Sequence, residues 1–280
     1  MTIRGELMPT LTVSDGTPIY YEDFGEGSPI VFVHGGAATH ALWDHQVYEL
    51  ADRFRTVTYD HRGFGVSEKP RKGYTTDQLA DDLYDLVNTL GLHDATLVSH
   101  GFGGHVVLRA AQRHPDIASK LILSAAAPWF SGNVSSEATS DDATLGGFSE
   151  DFAANLSTGI GTNYAGTNWD LFENWLFHRD PGIGTKVASL FMAQSCPSYV
   201  MKQLIRDLSN VDHRGYLDRI TQPTLVLHGI HDRKNRYEGA KILADLLPQA
   251  ELITFQESSH ALFFDELDLF NRTVAEFVQR

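Results

Sequence analysis

The sequence predicts an α/β fold, a mostly parallel sheet covered by helices on both faces. Short runs such as "PIVFVH" (29–34), "LILSAA" (121–126) and "PTLVLHG" (223–229) are continuously apolar and β-branched. Strands buried on both faces read this way, because neither side can be polar. Stretches of helical period separate these runs, and strand–helix alternation builds parallel sheets. Residues capable of chemistry sit just past the strand ends, where open α/β sheets hold their ligands.

In chain order, "TLTVSDGTPIYYEDFG" (10–25) has two short alternating runs around Asp15-Gly16, the mark of a hairpin. A strand at 29–34 and a helix at 42–51 follow, then the strand "RTVTYD" (55–60). Residues 76–90 predict a helix with Leu79, Leu83, Leu86, Val87 and Leu90 on one face, Thr75 or Thr76 as its cap and Gly91 at its end. Next come the strand "ATLVS" (95–99), a helix to about His114, and the strand at 121–126. The alternation breaks after Pro128. Residues 128–220 hold no comparable strand but many aromatics, namely Trp129, Phe130, Phe148, Phe152, Tyr164, Trp169, Phe172, Trp175, Phe177 and Phe191. They predict a mostly helical insertion. The strand at 223–229, a helix at 237–247, the strand "ELITF" (251–255) and a last helix marked by Phe270, Val274 and Phe277 close the chain. The core is therefore expected in two pieces, 1–127 and 221–280, with a cap at 128–220 between them.

A chain of 280 residues accommodates one sizeable domain, or a core with an insertion. The formal net charge of −14 argues against nucleic acid or an anionic membrane as partner, since both reward clustered Lys and Arg. A small-molecule substrate is the partner expected, and no cofactor. Cys196 is the only cysteine, so no intrachain disulfide can form and a cytoplasmic setting is the natural expectation. The first residues, "MTIRGELMPTLTVSDG", lack the apolar core of a signal peptide, and no run reaches 18 apolar residues.

Five motifs carry the chemistry. In "HGGAATHALW" (34–43) glycines let backbone N–H groups approach a ligand, and Gly36 can donate to an oxyanion. "DHRGFGVS" (60–67) holds no obvious nucleophile, and Asp60 and Arg62 are expected to pair and brace the loop. "LVSHGFGG" (97–104) reads as a strand, a sharp turn and a helix, with Gly101 at the tip. A tip residue with a Cβ is strained there by roughly 1–3 kcal/mol, and glycine relieves it. Phe102 then offers its N–H beside the tip, and Gly103 and Gly104 allow close helix–strand packing. "HGIHDRKNRYEGA" (228–240) puts Asp232 past one strand and "ESSHALFFDE" (257–266) puts His260 past the next. A carboxylate that accepts from one imidazole nitrogen fixes the tautomer and leaves the other nitrogen as base. His228, His231 and Asp232 lie close together, but zinc spacing needs more than this, and no metal site is expected. His100, Trp129 and Phe130 follow strand ends and are the pocket candidates.

With these motifs the chain resembles the α/β-hydrolase superfamily over essentially its whole length, closest to capped esterases, lactonases, cofactor-free haloperoxidases and C–C bond hydrolases. The resemblance implies the α/β-hydrolase fold, an eight-stranded mostly parallel sheet under a helical cap. It implies Asp232 and His260 as acid and base, and Gly36 and Phe102 as oxyanion donors. Gly101 then falls where the nucleophilic serine stands, so the attacking group of two-step ester hydrolysis is missing. Its removal from a working triad costs on the order of 10⁶ in turnover. Ser99 replaces the usual first glycine of the elbow, but it lies in the strand and is no substitute.

Four readings follow. The first is an enzyme working through His260 and Asp232, either on a water held in the space beside Gly101 or on the substrate directly, as in lyase, aldol, cyclase or cofactor-independent oxygenase chemistry. The second is a serine esterase inactivated by Ser→Gly at position 101. The third is a ligand-binding receptor. The fourth, nucleotide binding by Gly101–Gly104, is opposed by Val106, which occupies the last glycine slot of the dinucleotide fingerprint. The favoured reading is a small, apolar carbonyl compound, whether ester, lactone or C–C substrate, acted on through the His–Asp dyad.

Overall fold

The computed structural model describes residues 9–92, 94–130, 156 and 158–280. Eight strands form one sheet: β1 (Thr10–Thr12), β2 (Pro18–Phe24), β3 (Pro29–Val33), β4 (Arg55–Tyr59), β5 (Thr96–His100), β6 (Lys120–Ser124), β7 (Thr224–Gly229) and β8 (Ala250–Phe255). Their spatial order is β1-β2-β4-β3-β5-β6-β7-β8. The β1–β2 and β2–β4 pairs are antiparallel, and every pair from β4 to β8 is parallel. Asp15-Gly16 makes the first turn, as expected, with Gly16 at φ +89°.

Helices cover both faces. On one side lie α2 (Thr76–Thr89) and α3 (Phe102–Arg113), with α7 (Tyr237–Leu246). Val31, Val33, Val57, Leu97, Leu121 and Val226 point into this layer. On the other side lie α1 (Asp44–Leu50), a short α8 (Leu262–Asp265) and α9 (Leu267–Gln279). Ile30, Phe32, Val98, Ile122, Leu225 and Leu227 point there, against Trp43, Leu50, Phe270 and Val274. Successive strand residues thus feed opposite cores, which is why the strands are apolar without alternation. Thr75 caps α2 by accepting from the Gln78 N–H.

Between β6 and β7 the chain forms α4 (Tyr164–Asn174), α5 (Gly182–Gln194) and α6 (Ser198–Leu208). Phe172 packs there with Leu171 and Ala193, whereas Phe191 is exposed. Phe148 and Phe152 lie outside the described residues.

Three local expectations are corrected. The helix foreseen at 42–51 begins as a 3₁₀ turn, His40–Trp43, before α1. His100 is the last residue of β5 and does not follow the strand. Asp60 and Arg62 do not pair. Asp60 accepts from the His40 ring and N–H at 2.9 and 2.7 Å and from the Val66 N–H at 2.7 Å. Arg62 makes a two-pronged pair with buried Asp82 at 2.5 and 2.6 Å and reaches Asp15 at 2.7 Å. Both residues still brace the loop, through partners far away in sequence that local spacing does not reveal.

Candidate active site

The turn after β5 is built as the motif implies. Gly101 has φ +51° and ψ −113°, and its N–H donates to the Ser124 carbonyl at 2.9 Å. Phe102 opens α3, so its N–H is one of those left without an acceptor inside the helix. Behind the turn the packing is tight. A Cβ on Gly103 would lie 2.6 Å from the carbonyl oxygens of Val33 and His34, and one on Gly104 would lie 2.6 Å from the Ala126 Cβ. These glycines serve close packing against neighbouring strands, which removes the reason to read them as a phosphate cradle.

Asp232 lies in the loop after β7. Its Oδ1 accepts from the backbone N–H groups of Lys234 and Asn235 at 2.8 and 2.9 Å, and its Oδ2 sits 2.7 Å from His260 Nδ1. The Asn235 amide anchors the loop to the Ala125 carbonyl at 2.7 Å. Burial pushes the Asp232 pKa up, but the charges and hydrogen bonds of His260 and His228 win and hold it well below the usual carboxylate range. His228 is fully buried, with Nε2 2.9 Å from the Asn235 carbonyl. His260 is fully buried too, and burial lowers its pKa to about 4 against the pull of Asp232. Its neutral ring donates from Nδ1 to Asp232 and presents the lone pair of Nε2.

That lone pair meets the residue that sequence reasoning missed. Lys234 Nζ lies 2.9 Å from His260 Nε2. The imidazole and this amine thus border the expected space beside Gly101. A Cβ built on Gly101 would stand 2.9 Å from His260 Nε2 and 3.8 Å from Lys234 Nζ. Lys234 is only 7 % exposed, and burial lowers its pKa to about 8, although the Asp232 charge works the other way.

A cavity opens above these groups. Gly101, Lys234 and Asn235 line it, with Gly36, Ala37 and Phe102 beside them and Phe64, Phe130, Met201 and Leu204 among the apolar walls. His260 is not in the lining, because Lys234 stands in front of it. His105 also borders the cavity, its Nδ1 2.8 Å from His213 Nε2. Asn168 contributes a buried Nδ2 with no hydrogen-bond partner among the described residues.

A scan of family models matches the α/β hydrolase fold over residues 28–267. The chain belongs to the α/β-hydrolase family. Among curated relatives of this family, the non-heme chloroperoxidase CPO-A1 of Kitasatospora aureofaciens is 32% identical over 290 residues, 98% of this chain and 100% of the relative. The AB hydrolase superfamily protein YisY of Bacillus subtilis is 31% identical over 262 residues, 92% of this chain and 94% of the relative. Among solved structures, an esterase from Exiguobacterium antarcticum superposes with a TM-score of 0.89 at 27% identity, covering 97% of this chain and 99% of that one.

Within this α/β-hydrolase scaffold, the structure gathers Asp232, His260, Gly101, Phe102 and Gly36 at one end of the sheet, with Phe130 on the cavity wall. Two pocket candidates are corrected. His100 does not line the cavity. As the end of β5 it turns to the opposite layer, where its ring lies 4.9 Å from Phe263 and its Nε2 meets the His260 carbonyl at 3.1 Å. Trp129 also faces away, with Arg214 over its ring at 4.3 Å. The signal for Lys234 was weak. It sits two residues after Asp232 inside the charged run "DRKNR", which reads as a solvated loop.

Proposed function

We propose that this member of the α/β-hydrolase family acts on a small, largely apolar carbonyl compound through His260 and Asp232, without a serine nucleophile. One observation carries the reading: a buried imidazole held by a carboxylate at 2.7 Å, its other nitrogen turned toward a residue of the cavity floor. Asp232 fixes the tautomer and steadies the ring as it gains a proton. His260 is the proton acceptor, and it reaches the cavity by way of the Lys234 amine. The N–H groups of Gly36 and Phe102 receive the charge that develops on the carbonyl oxygen, in an apolar setting where such hydrogen bonds gain strength. The apolar wall selects a substrate with little charge, and Asn168 offers one donor for its orientation. The described part of the insertion, α4 to α6, serves as a cap over this cavity. The names of the relatives, an esterase and a chloroperoxidase, fit carbonyl chemistry at this end of the sheet.

The reading of a serine esterase inactivated by Ser→Gly at 101 fits less well, because a Cβ there would stand 2.9 Å from His260 Nε2, on a ring tied to Asp232.

The test is turnover of the protein and of its His260→Ala variant over a panel of esters, lactones and β-dicarbonyl compounds. Loss of a positioned base predicts a fall of about 10²–10⁴-fold on the accepted substrate. Equal rates in the two proteins would overturn the reading and favour a ligand-binding receptor.

A further inference from the structure

His105 borders the cavity from α3, and the residues behind it decide which of its ring nitrogens carries the proton. It follows Phe102, the first residue of the helix, by three positions, so the two share a helix face with roughly 5–6 Å between their Cβ atoms. Cα–Cβ bonds tilt toward a helix N-terminus, which leans the ring toward the turn at Gly101. His105 Nδ1 lies 2.8 Å from His213 Nε2, and His213 Nδ1 meets the Tyr216 hydroxyl. Arg109, one turn further along α3, holds its guanidinium 5.9 Å from the centre of the Tyr216 ring and pairs with Asp77 at 2.5 Å. These side chains form one chain of contacts from the half-exposed Arg109 to the cavity.

One ordering of protons suits this chain. Burial holds the pKa of His105 at about 4 and drives that of His213 well below its ordinary value, with the Arg109 charge adding to the latter. Both rings are therefore neutral, each carries a single N–H, and the contact between them shares one hydrogen. A guanidinium can only donate, so the phenol oxygen beside it turns its lone pairs to Arg109 and its hydrogen to His213 Nδ1. His213 then keeps its proton on Nε2 and donates to His105 Nδ1. His105 is left with its proton on Nε2, which makes no hydrogen bond among the described residues.

We propose that His105 is a hydrogen-bond donor to the substrate, its Nε2–H holding a second oxygen acceptor that lies beyond the reacting carbonyl. The substrate class is then a small carbonyl compound with a further uncharged oxygen, such as a keto ester, in preference to a plain ester. This rests on the reading of the cavity as a carbonyl site and narrows its substrate. The Phe102 N–H receives the reacting oxygen one turn before His105, so two acceptors on one molecule meet two donors on one helix face. A compound without the second oxygen leaves a buried N–H unpaired, and that cost is what discriminates.

The experiment begins on the unaltered protein carrying isotopically labelled histidine. Long-range proton–nitrogen correlation spectra are expected to show His105 with its hydrogen on Nε2 and a bare Nδ1, and the opposite tautomer overturns the proposal. Binding is then followed in the same spectra with ethyl acetoacetate and ethyl levulinate, each against its match without the keto oxygen, ethyl butyrate and ethyl valerate. At least one keto ester is expected to bind about 3- to 10-fold more tightly than its match, the worth of one hydrogen bond, and to move the His105 Nε2 signal. Where an ester is turned over, the same ratio is expected in KM, with kcat changed less. His105→Phe is expected to erase the preference while the plain esters bind as before, and His105→Gln, which keeps an N–H, to restore part of it. Equal affinity within both pairs, or a preference that survives His105→Phe, overturns the role of His105 alone. If none of the four binds, the carbonyl reading of the cavity falls with it.

Discussion

Gly101, His260 and Lys234 are best understood together. The turn keeps the positive φ of a strained elbow, and glycine removes the strain. The place of a Cβ there is crowded by the imidazole of His260, with the amine of Lys234, from a different loop, beside it. Putting the hydroxyl back therefore does not restore a serine hydrolase. In Gly101→Ser the new Cβ falls 2.9 Å from His260 Nε2, and the ring is tied to Asp232 at 2.7 Å. The variant is expected to show no gain in p-nitrophenyl ester hydrolysis and to lose about 1–3 kcal/mol of stability, the usual cost of overpacking. Rate assays with urea denaturation measure both, and a large gain in esterase activity would mean that the ring yields easily. At this scale the sequence made Asp232, His260, Gly101 and Phe102 legible, because each sits in a motif tied to a strand end. Lys234 was hidden, since nothing in a charged loop says that one of its side chains folds back into an apolar cavity. His100 and Trp129 were misplaced for a related reason: position past or at a strand end does not say which layer a side chain enters.

Among the elements, α3 and β3 decide whether the site exists. The helix must approach the strand end closely enough to set Phe102 beside Gly36, and Gly103 makes this possible by touching two backbone carbonyls. Oxygen atoms of the main chain cannot move aside as a flexible side chain does. Gly103→Ala is expected to push α3 outward and cost about 1–3 kcal/mol, seen as a lower urea midpoint at unchanged slope, together with lost turnover. The contrast is Gly184→Ala in α5, an exposed position where a Cβ meets nothing within 4 Å. There the added helix propensity is expected to raise stability by up to about 1 kcal/mol. A neutral result at Gly103 would show that the helix is not seated as tightly as the carbonyl contacts require. The strands and main helices were legible because burial on both faces leaves an unbroken apolar run and one-sided burial leaves a 3.6-residue period. The braces were not. Arg62 with Asp82 and Thr76 with Asp207, the latter at 2.6 Å through its N–H, join distant segments and leave no local pattern.

For the whole molecule, buried histidines outweigh the acidic surface in setting the response to pH. His34, His105 and His260 are held at about 4 by burial, and burial likewise drives His61, His100 and His213 well below their ordinary value of 6.5. Each binds a proton more readily in the unfolded chain than in the folded one. As pH falls below 6.5 the unfolded state therefore gains protons that the native state refuses, and each ring withdraws up to about 1.4 kcal/mol of stability per pH unit. His40 opposes this. Burial lowers it, but Asp60 and Glu22 raise it overall, so its contribution is present at low pH and lost as pH rises. One ring does not balance six. Against a domain stability of about 5–15 kcal/mol, the transition temperature should drop steeply between about pH 6.5 and about pH 5. The carboxylates held low by their partners, Asp60 and Asp232, do not enter until the pH is lower still. Thermal unfolding followed by circular dichroism across this range is the measurement, and a flat transition temperature would mean that the rings are hydrated in solution. Because His34 follows β3, His61 follows β4, and His100 ends β5 beneath His260, the same acidification loosens the end of the sheet that carries the dyad. An acid limb in turnover is then expected to be accompanied by lost structure, and only the part of the limb at pH values where the transition temperature is unchanged reports on catalysis.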